Sequence, residues 1–364
     1  MRHCLASGAV LALALAPSVR ANDALSQGVS HFKSGKYAEA AAEFQTLVDL
    51  SPSYDYGHFM LGLSLLKMDR TLEARDSIVK AIELNGDRFE YHNGLARVYV
   101  AEKDYARAIA VLGTAEPLAT TDPHRFALFS TRGNCYAALD KWSDAVEDLE
   151  RARALHPDQA SVLLTLGQAY YKLGYFDNAV AVLREAVTVA PSDVATLQWL
   201  AESLVSLGAE AMSDGEKDSL YHEALQFAER FRSAAPDNFD ADNLVGRSAL
   251  GASDFAKAEQ AFRDVLARKP DHCYAMVNLG KTYIAQEHWN EAERILNEAA
   301  RCAPRMWLVY ESLGFTLQKQ DRLEEAVLAY EKAYDIKPSD GVRNAMEICR
   351  QNLALRHHRP SPSR

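Results

Sequence analysis

Residues 160–193 read ASVLLTLGQAYYKLGYFDNAVAVLREAVTVAPSD. Leu163, Leu166, Gly167 and Tyr170 recur at three- and four-residue steps, the spacing of one face of an α-helix, until Gly174 breaks the pattern. Phe176, Ala179, Leu183 and Ala186 resume the spacing as far as Pro191, which cannot donate the next helical hydrogen bond. The segment therefore predicts a helical hairpin. Gly167, Ala179 and Ala186 are small where bulk would hold two helices apart, so the pair can approach closely. One hairpin leaves apolar surface on both sides and needs stacked neighbours to cover it.

Those neighbours are the rest of the chain. With the first position of the unit set at residues 21, 55, 89, 126, 160, 194, 239, 273 and 307, position eight is small in all nine repeats: Gly28, Gly62, Ala96, Gly133, Gly167, Ala201, Gly246, Gly280 and Gly314. Alanine fills the second small position every time, at Ala40, Ala74, Ala108, Ala145, Ala179, Ala224, Ala258, Ala292 and Ala326. An aromatic stands three residues before it in seven repeats, from Tyr37 through Phe176 to Trp289, and keeps step with the packing alanines as a core residue must. Proline closes seven of the nine units, with Gly86 and Thr120 in its place in the other two.

The L-G-x-x-Y, A-x-x-x-F and terminal P pattern resembles the tetratricopeptide repeat (TPR) family over residues 21–338. The resemblance implies an all-α fold: an α-solenoid, right-handed in its superhelix, of about nine hairpins. It also implies a binding function. The length of the chain would otherwise suggest two or three globular domains, but a repeat array is one continuous stack.

Ahead of the repeats, Arg2 and His3 precede an apolar run from Cys4 to Ala16, and Pro17 to Ala21 ends in small residues suited to a signal peptidase. We read residues 1–21 as a cleaved signal peptide. The alternative is an anchor formed by an uncleaved signal, although the run is shorter than the about 20 residues a spanning helix needs. Export places the protein in the periplasm or outside the cell. Losing Arg2 and Arg20 would make the chain more acidic than its formal net charge of −10, which argues against nucleic acid as a partner. Behind the repeats, residues 339–355 predict a capping helix, with Val342, Ala345, Met346, Cys349 and Leu353 facing inward, and residues 356–364 a disordered basic tail.

Two stretches depart from the 34-residue unit. The sixth repeat carries an insertion near 208–218, which predicts either two lengthened helices or a loop projecting from the rim. Thr120, Thr121 and Pro123 read as a smaller loop.

Family resemblance places positions two, five, nine and twelve of each first helix on the concave wall. In the first two repeats this stripe is apolar: Leu25, Val29 and Phe32, then Tyr56, Phe59, Leu63 and Leu66. It reads either as a groove for a partner helix or a second copy of the protein, or as the cover of an open N-terminal end. From the third repeat the stripe is polar, with Asn93 and Arg97, then Asn134, Gln168 and Tyr171. Glu202, Asn243 and Arg247 continue it to Tyr274 and Lys281, with Trp199 beside them. These residues suit an extended peptide, amides for its backbone and aromatics or arginine as anchors, or else form a solvated wall. A carboxylate clamp of the kind some TPR proteins use is absent from the first repeats, where Leu25, Val29 and Met60 hold its positions.

Nothing points to catalysis or to a cofactor. There is no Gly-rich phosphate loop, no G-x-S-x-G elbow and no zinc spacing. His58 and His92 hold position four, a core position, and with His31 they specify no carboxylate partner for a metal. The reading is thus a non-enzymatic interaction scaffold of the cell envelope or secretion pathway that binds proteins or peptides. The alternative is a self-assembling structural protein that uses the apolar N-terminal wall. Cys273 and Cys302 open and close one antiparallel hairpin, so its ends meet and a disulfide can form there, against free thiols as the alternative, and sequence does not choose among the three pairings of four cysteines. Cys135 and Cys349 read as buried apolar residues. N-terminal sequencing of protein recovered outside the cytoplasm should return Asn22 as its first residue, and recovery of Met1 would overturn the cleaved signal.

Overall fold

The computed structural model of the protein describes residues 17–357, and every regular element among them is helical. These residues form two compact units, one ending at Ala169 and one starting at Tyr170, with the division inside α9 (Ala160–Lys172). The first unit stacks α1 (Pro17–Lys33), α2 (Tyr37–Leu50), α3 (Asp55–Leu66), α4 (Thr71–Leu84), α5 (Phe89–Ala101), α6 (Tyr105–Ala115), α7 (Asp122–Ala138) and α8 (Trp142–Leu155). The second contains α10 (Phe176–Val189), α11 (Val194–Glu210), α12 (Asp214–Ala234), α13 (Phe239–Gly251) and α14 (Phe255–Arg268). It continues through α15 (Cys273–Ala285), α16 (Trp289–Cys302), α17 (Trp307–Lys319), α18 (Leu323–Ile336) and the final α19 (Asp340–His357).

Within a hairpin, a glycine at position eight lets a side chain at position 24 of the second helix fill the space a Cβ would take. A Cβ on Gly28 would lie 2.8 Å from the Phe44 ring, one on Gly246 2.6 Å from Phe262, and one on Gly314 2.8 Å from Tyr330. A Cβ on Gly62 would overlap Ile78, and one on Gly133 or Gly280 would lie 2.7 Å from a leucine, Leu149 or Leu296. Phe44, Ile78, Leu149, Phe262, Leu296 and Tyr330 are all buried as a result. In the sixth repeat both members of the pair are alanine, Ala201 and Ala228, and both are fully buried. The sequence shows the small residue; the packing shows which side chain needs it.

The turn between the two helices is also repeated. At Gly174 the N–H bonds the Tyr171 carbonyl, and the next N–H, that of Tyr175, reaches back to Tyr170 at 2.9 Å. This is a Schellman turn, whose pivot residue must take a left-handed conformation. Gly35 and Gly174 supply it with glycine, at φ 73° and 80°. Elsewhere Asp69, Lys103, Asp140, Ser253, Glu287 and Asp321 adopt φ between 57° and 67° in the same place. A side chain there costs on the order of 1 kcal/mol, which the two backbone hydrogen bonds and the packing of both helices offset.

Both insertions are absorbed by helix. α11 and α12 lengthen to 17 and 21 residues and meet over residues 211–213, where the Ser213 hydroxyl accepts the Glu216 N–H. The lengthened-helix reading of residues 208–218 is the one observed, because Gly208 packs against Tyr221 inside α11 and does not break it. The loop expected from Thr120, Thr121 and Pro123 is observed at the first two, which lie outside any helix, and corrected at Pro123. Thr121 caps α7 by accepting the His124 N–H, and Pro123 sits in the first turn, where a missing N–H is no loss. Residues 116–118 form a single 3₁₀ turn before it.

That turn is anchored by a buried arginine. Arg132 stands where six other repeats have leucine, and its Nε and Nη2 donate to Asp148 at 2.6 and 2.9 Å while Nη1 donates to Glu116 at 2.7 Å. Asp148 is 2% exposed, and its buried charge is held by this pairing together with Arg151, whose Nη1 lies 3.6 Å from Oδ1.

α1 runs through Ala21 and Asn22, the residues on either side of the expected cut, and Ala21 and Ala24 join the first core cluster. The apolar run from Cys4 to Ala16 and the tail from residue 358 lie outside the described residues; Arg356 and His357, read as tail, belong to α19. Ser339 caps α19 through the Val342 N–H, and Val342, Met346 and Cys349 bury its inner face. Replacing Gly246 with Ala should cost roughly 1–3 kcal/mol in a urea titration, and Phe262→Leu in the same chain should recover part of it. Equal losses with and without the second change would break the assigned pairing.

Candidate functional site

In the first unit the apolar stripe lies along α1 and α3. Leu25, Val29, Phe32, Tyr56, Leu63 and Leu66 are half-buried and pack against the first core cluster. Phe59 is a correction. Only 9% exposed, it packs its ring 4.7 Å from that of Tyr91 and belongs to the interior, not to an open groove. Phe32 likewise leans on Tyr37 of its own hairpin, with ring centroids 5.4 Å apart.

A cavity of about 540 Å³ lies among α3, α5 and α7. Leu66, Val100, Ala101 and Tyr105 give it apolar walls, and Lys67, Asp69, Arg97, Thr131 and Asn134 give it polar ones. Arg97 is exposed and makes no ion pair among the described residues. On the same helix the Asn93 side-chain oxygen is buried without a hydrogen-bond partner. Gln168 is half-buried and lines no cavity described here.

The second unit holds a smaller cavity of about 330 Å³, bounded by Tyr171, Lys172, Gln198, Trp199, Glu202 and Arg247. Trp199 meets Tyr171 edge-on at 5.3 Å, the Lys172 ammonium lies 5.5 Å from the Trp199 ring centre, and the Ser206 hydroxyl donates to the Tyr171 oxygen. Arg247 is not free. Its Nη1 donates to both Glu202 oxygens, at 2.9 and 2.7 Å, so two residues expected to contact a partner neutralise each other. The Asn243 oxygen is buried and unpartnered, as at Asn93. Gln198 and Lys172 complete the cavity.

Tyr274 and Lys281 part company. Tyr274, 62% exposed, lines a rim cleft with Pro304, Arg305, Met306 and Trp307, whereas Lys281 lines a separate pocket beside Glu311 and α19. They sit near opposite ends of α15, with more than a helical turn between them.

The histidines have structural partners. His58 donates to the Pro52 carbonyl and His92 to the Gly86 carbonyl, each closing the turn that leads into its own repeat. Among the described residues no group of three histidine, cysteine or carboxylate side chains could hold a metal ion. Cys273 and Cys302 are joined in a disulfide with Cα atoms 5.8 Å apart. Cys135 and Cys349 are free and buried, and burial pushes the Cys135 thiol up to about 11.

Profiles of the tetratricopeptide repeat match residues 25–76, 59–123, 131–194, 217–272, 249–308 and 309–340, so the chain belongs to this family. Tetratricopeptide repeat proteins generally mediate protein–protein interactions. Among curated proteins, the human protein O-mannosyl-transferase TMTC1 is 27% identical over 134 residues, which are 36% of this chain and 15% of that protein. A tetratricopeptide repeat protein from Parabacteroides merdae aligns with 72% of this chain and 98% of its own, at 15% identity and a TM-score of 0.54. PilF of Pseudomonas aeruginosa aligns with 66% of this chain and 98% of its own, at 15% identity and a TM-score of 0.53. At such identities the likeness is one of fold. No described helix is long and apolar enough to cross a membrane.

The disulfide closes 29 residues of sequence, for which the chain-entropy relation gives about 3–4 kcal/mol. A Cys273→Ser, Cys302→Ser double variant should lose stability of that order, and a non-reduced digest of the natural protein should yield the linked peptide; two alkylated thiols there would exclude the bond.

Proposed function

We propose that this protein is a non-enzymatic scaffold that holds an extended segment of a partner protein along the first-helix stripe, the wall that family resemblance makes concave. The observation that carries the reading is the cavity beneath Arg97. An exposed guanidinium with no ion partner among the described residues lines one cavity with Leu66, Val100 and Tyr105 and with Asn134 and Thr131. This suits an acidic side chain next to an apolar one, since arginine pairs carboxylates through two parallel N–H groups. In the second unit the Tyr171 and Trp199 edges suit an apolar anchor, while Glu202 and Arg247 fix each other's rotamers and need not be ordered on binding.

Export to the periplasm or beyond is part of the proposal. Its support is the N-terminal apolar run in the sequence and the Cys273–Cys302 disulfide, a bond that persists in oxidising compartments. A role in envelope or secretion assembly follows from that location.

The test is capture of partners from the native source with the natural chain and with an Arg97→Ala, Trp199→Ala, Arg247→Ala variant. The variant should lose the specific partner while its helical circular dichroism is unchanged, because Arg97 is exposed and neither Trp199 nor Arg247 is a buried core residue. Equal recovery by both chains would move the site off this stripe.

A further inference from the structure

Where the last repeat meets the final helix, α15, α17, α18 and α19 bound a pocket of about 370 Å³. Ile284, Phe315, Val342 and Ala345 make its apolar side. Lys281 and Glu311 bring opposite charges to the same space from neighbouring first helices, α15 and α17. No hydrogen bond or ion pair joins them, and neither has another such partner among the described residues. Burial holds the Lys281 ammonium below the usual lysine pKa, and the Glu311 charge opposes that fall without removing it. The contrast with Arg247, closed onto Glu202 at 2.7 Å, is direct.

From this arrangement we infer that the pocket binds a free apolar α-amino acid, with its carboxylate on Lys281, its ammonium on Glu311 and its side chain against Ile284 and Phe315. A ligand of single charge would satisfy one group and leave the other desolvated and unpaired, which is costly in a half-buried site. A zwitterion satisfies both at once. An internal peptide residue offers neither free group, so this ligand class differs from the extended partner proposed above, and Arg97 and Trp199 take no part in it. The volume of about 370 Å³ accommodates a side chain of leucine size, and Val342 and Ala345 of α19 line the same pocket.

Isothermal titration of the full chain with L-leucine, N-acetyl-L-leucine and L-leucinamide tests the inference. L-Leucine should bind, and each capped form should bind more weakly by on the order of tenfold or more, because each loses one charge-assisted contact. Lys281→Met and Glu311→Gln should each cause a similar loss with unchanged circular dichroism, while Arg97→Ala keeps the leucine affinity. Equal binding of N-acetyl-L-leucine would show a simple carboxylate site and overturn the zwitterion assignment, and absence of binding across a panel of apolar amino acids at millimolar concentration would overturn the site. If either variant fails to fold, the ligand series on the natural chain decides alone.

Discussion

Everything in the two units rests on how near the helices of one hairpin can come. At Gly28, Gly246 and Gly314 the first helix has no Cβ, and the ring of Phe44, Phe262 or Tyr330 occupies that volume. The second small position, alanine throughout, is fully buried in every repeat from Ala40 to Ala326. Burying a large ring stabilises a hairpin by about 1.5–3 kcal/mol, but only while the opposing surface is flat. A methyl group added at position eight therefore costs twice, once through overlap and once through the ring it dislodges. This close approach fixes which side of the first helix faces its partner and so which residues are left on the stripe.

The short turns follow from the same constraint. Helices this close need a connection that reverses direction in few residues, and the Schellman turn does so at the price of one left-handed residue. The aspartates at 69, 140 and 321 tolerate that conformation better than Lys103 or Glu287 do, since a short polar side chain can bond locally. Where the sixth repeat cannot use the turn, it extends both helices and starts the second with a serine cap. Extra sequence thus lengthens helices without disturbing the packing at Ala201 and Ala228.

Much of this was legible because the repeat multiplies each signal. Position eight and the packing alanine could be read from any one hairpin and checked against the others. What escaped the sequence was whatever occurs once. The repeat pattern does not single out Arg132, yet it replaces a core leucine and pairs with Asp148, a partner that no periodicity marks. Pro123 reads as part of a loop because proline breaks helices in the middle, whereas at a first turn it starts them. The candidate site was legible as a stripe but not as cavities: helical spacing places Glu202 and Arg247 on one face without revealing that they bind each other, and it places Tyr274 and Lys281 on one helix without revealing that they open into different spaces.

The distinction between paired and unpaired charges decides where function can reside on such a wall. Arg247 and Glu202 cost little to leave in place when a partner arrives, because they already satisfy each other, and they contribute shape more than attraction. Arg97 differs: it is exposed and pairs with no carboxylate among the described residues, so it can distinguish an acidic partner from a neutral one. Lys281 and Glu311 differ again, since both line one pocket with no ion pair between them, and burial holds the Lys281 ammonium below the usual lysine range. Three positions equivalent in the repeat, the ninth of the third, seventh and eighth, thus have three electrostatic situations, set by the neighbouring helix and not by the residue itself.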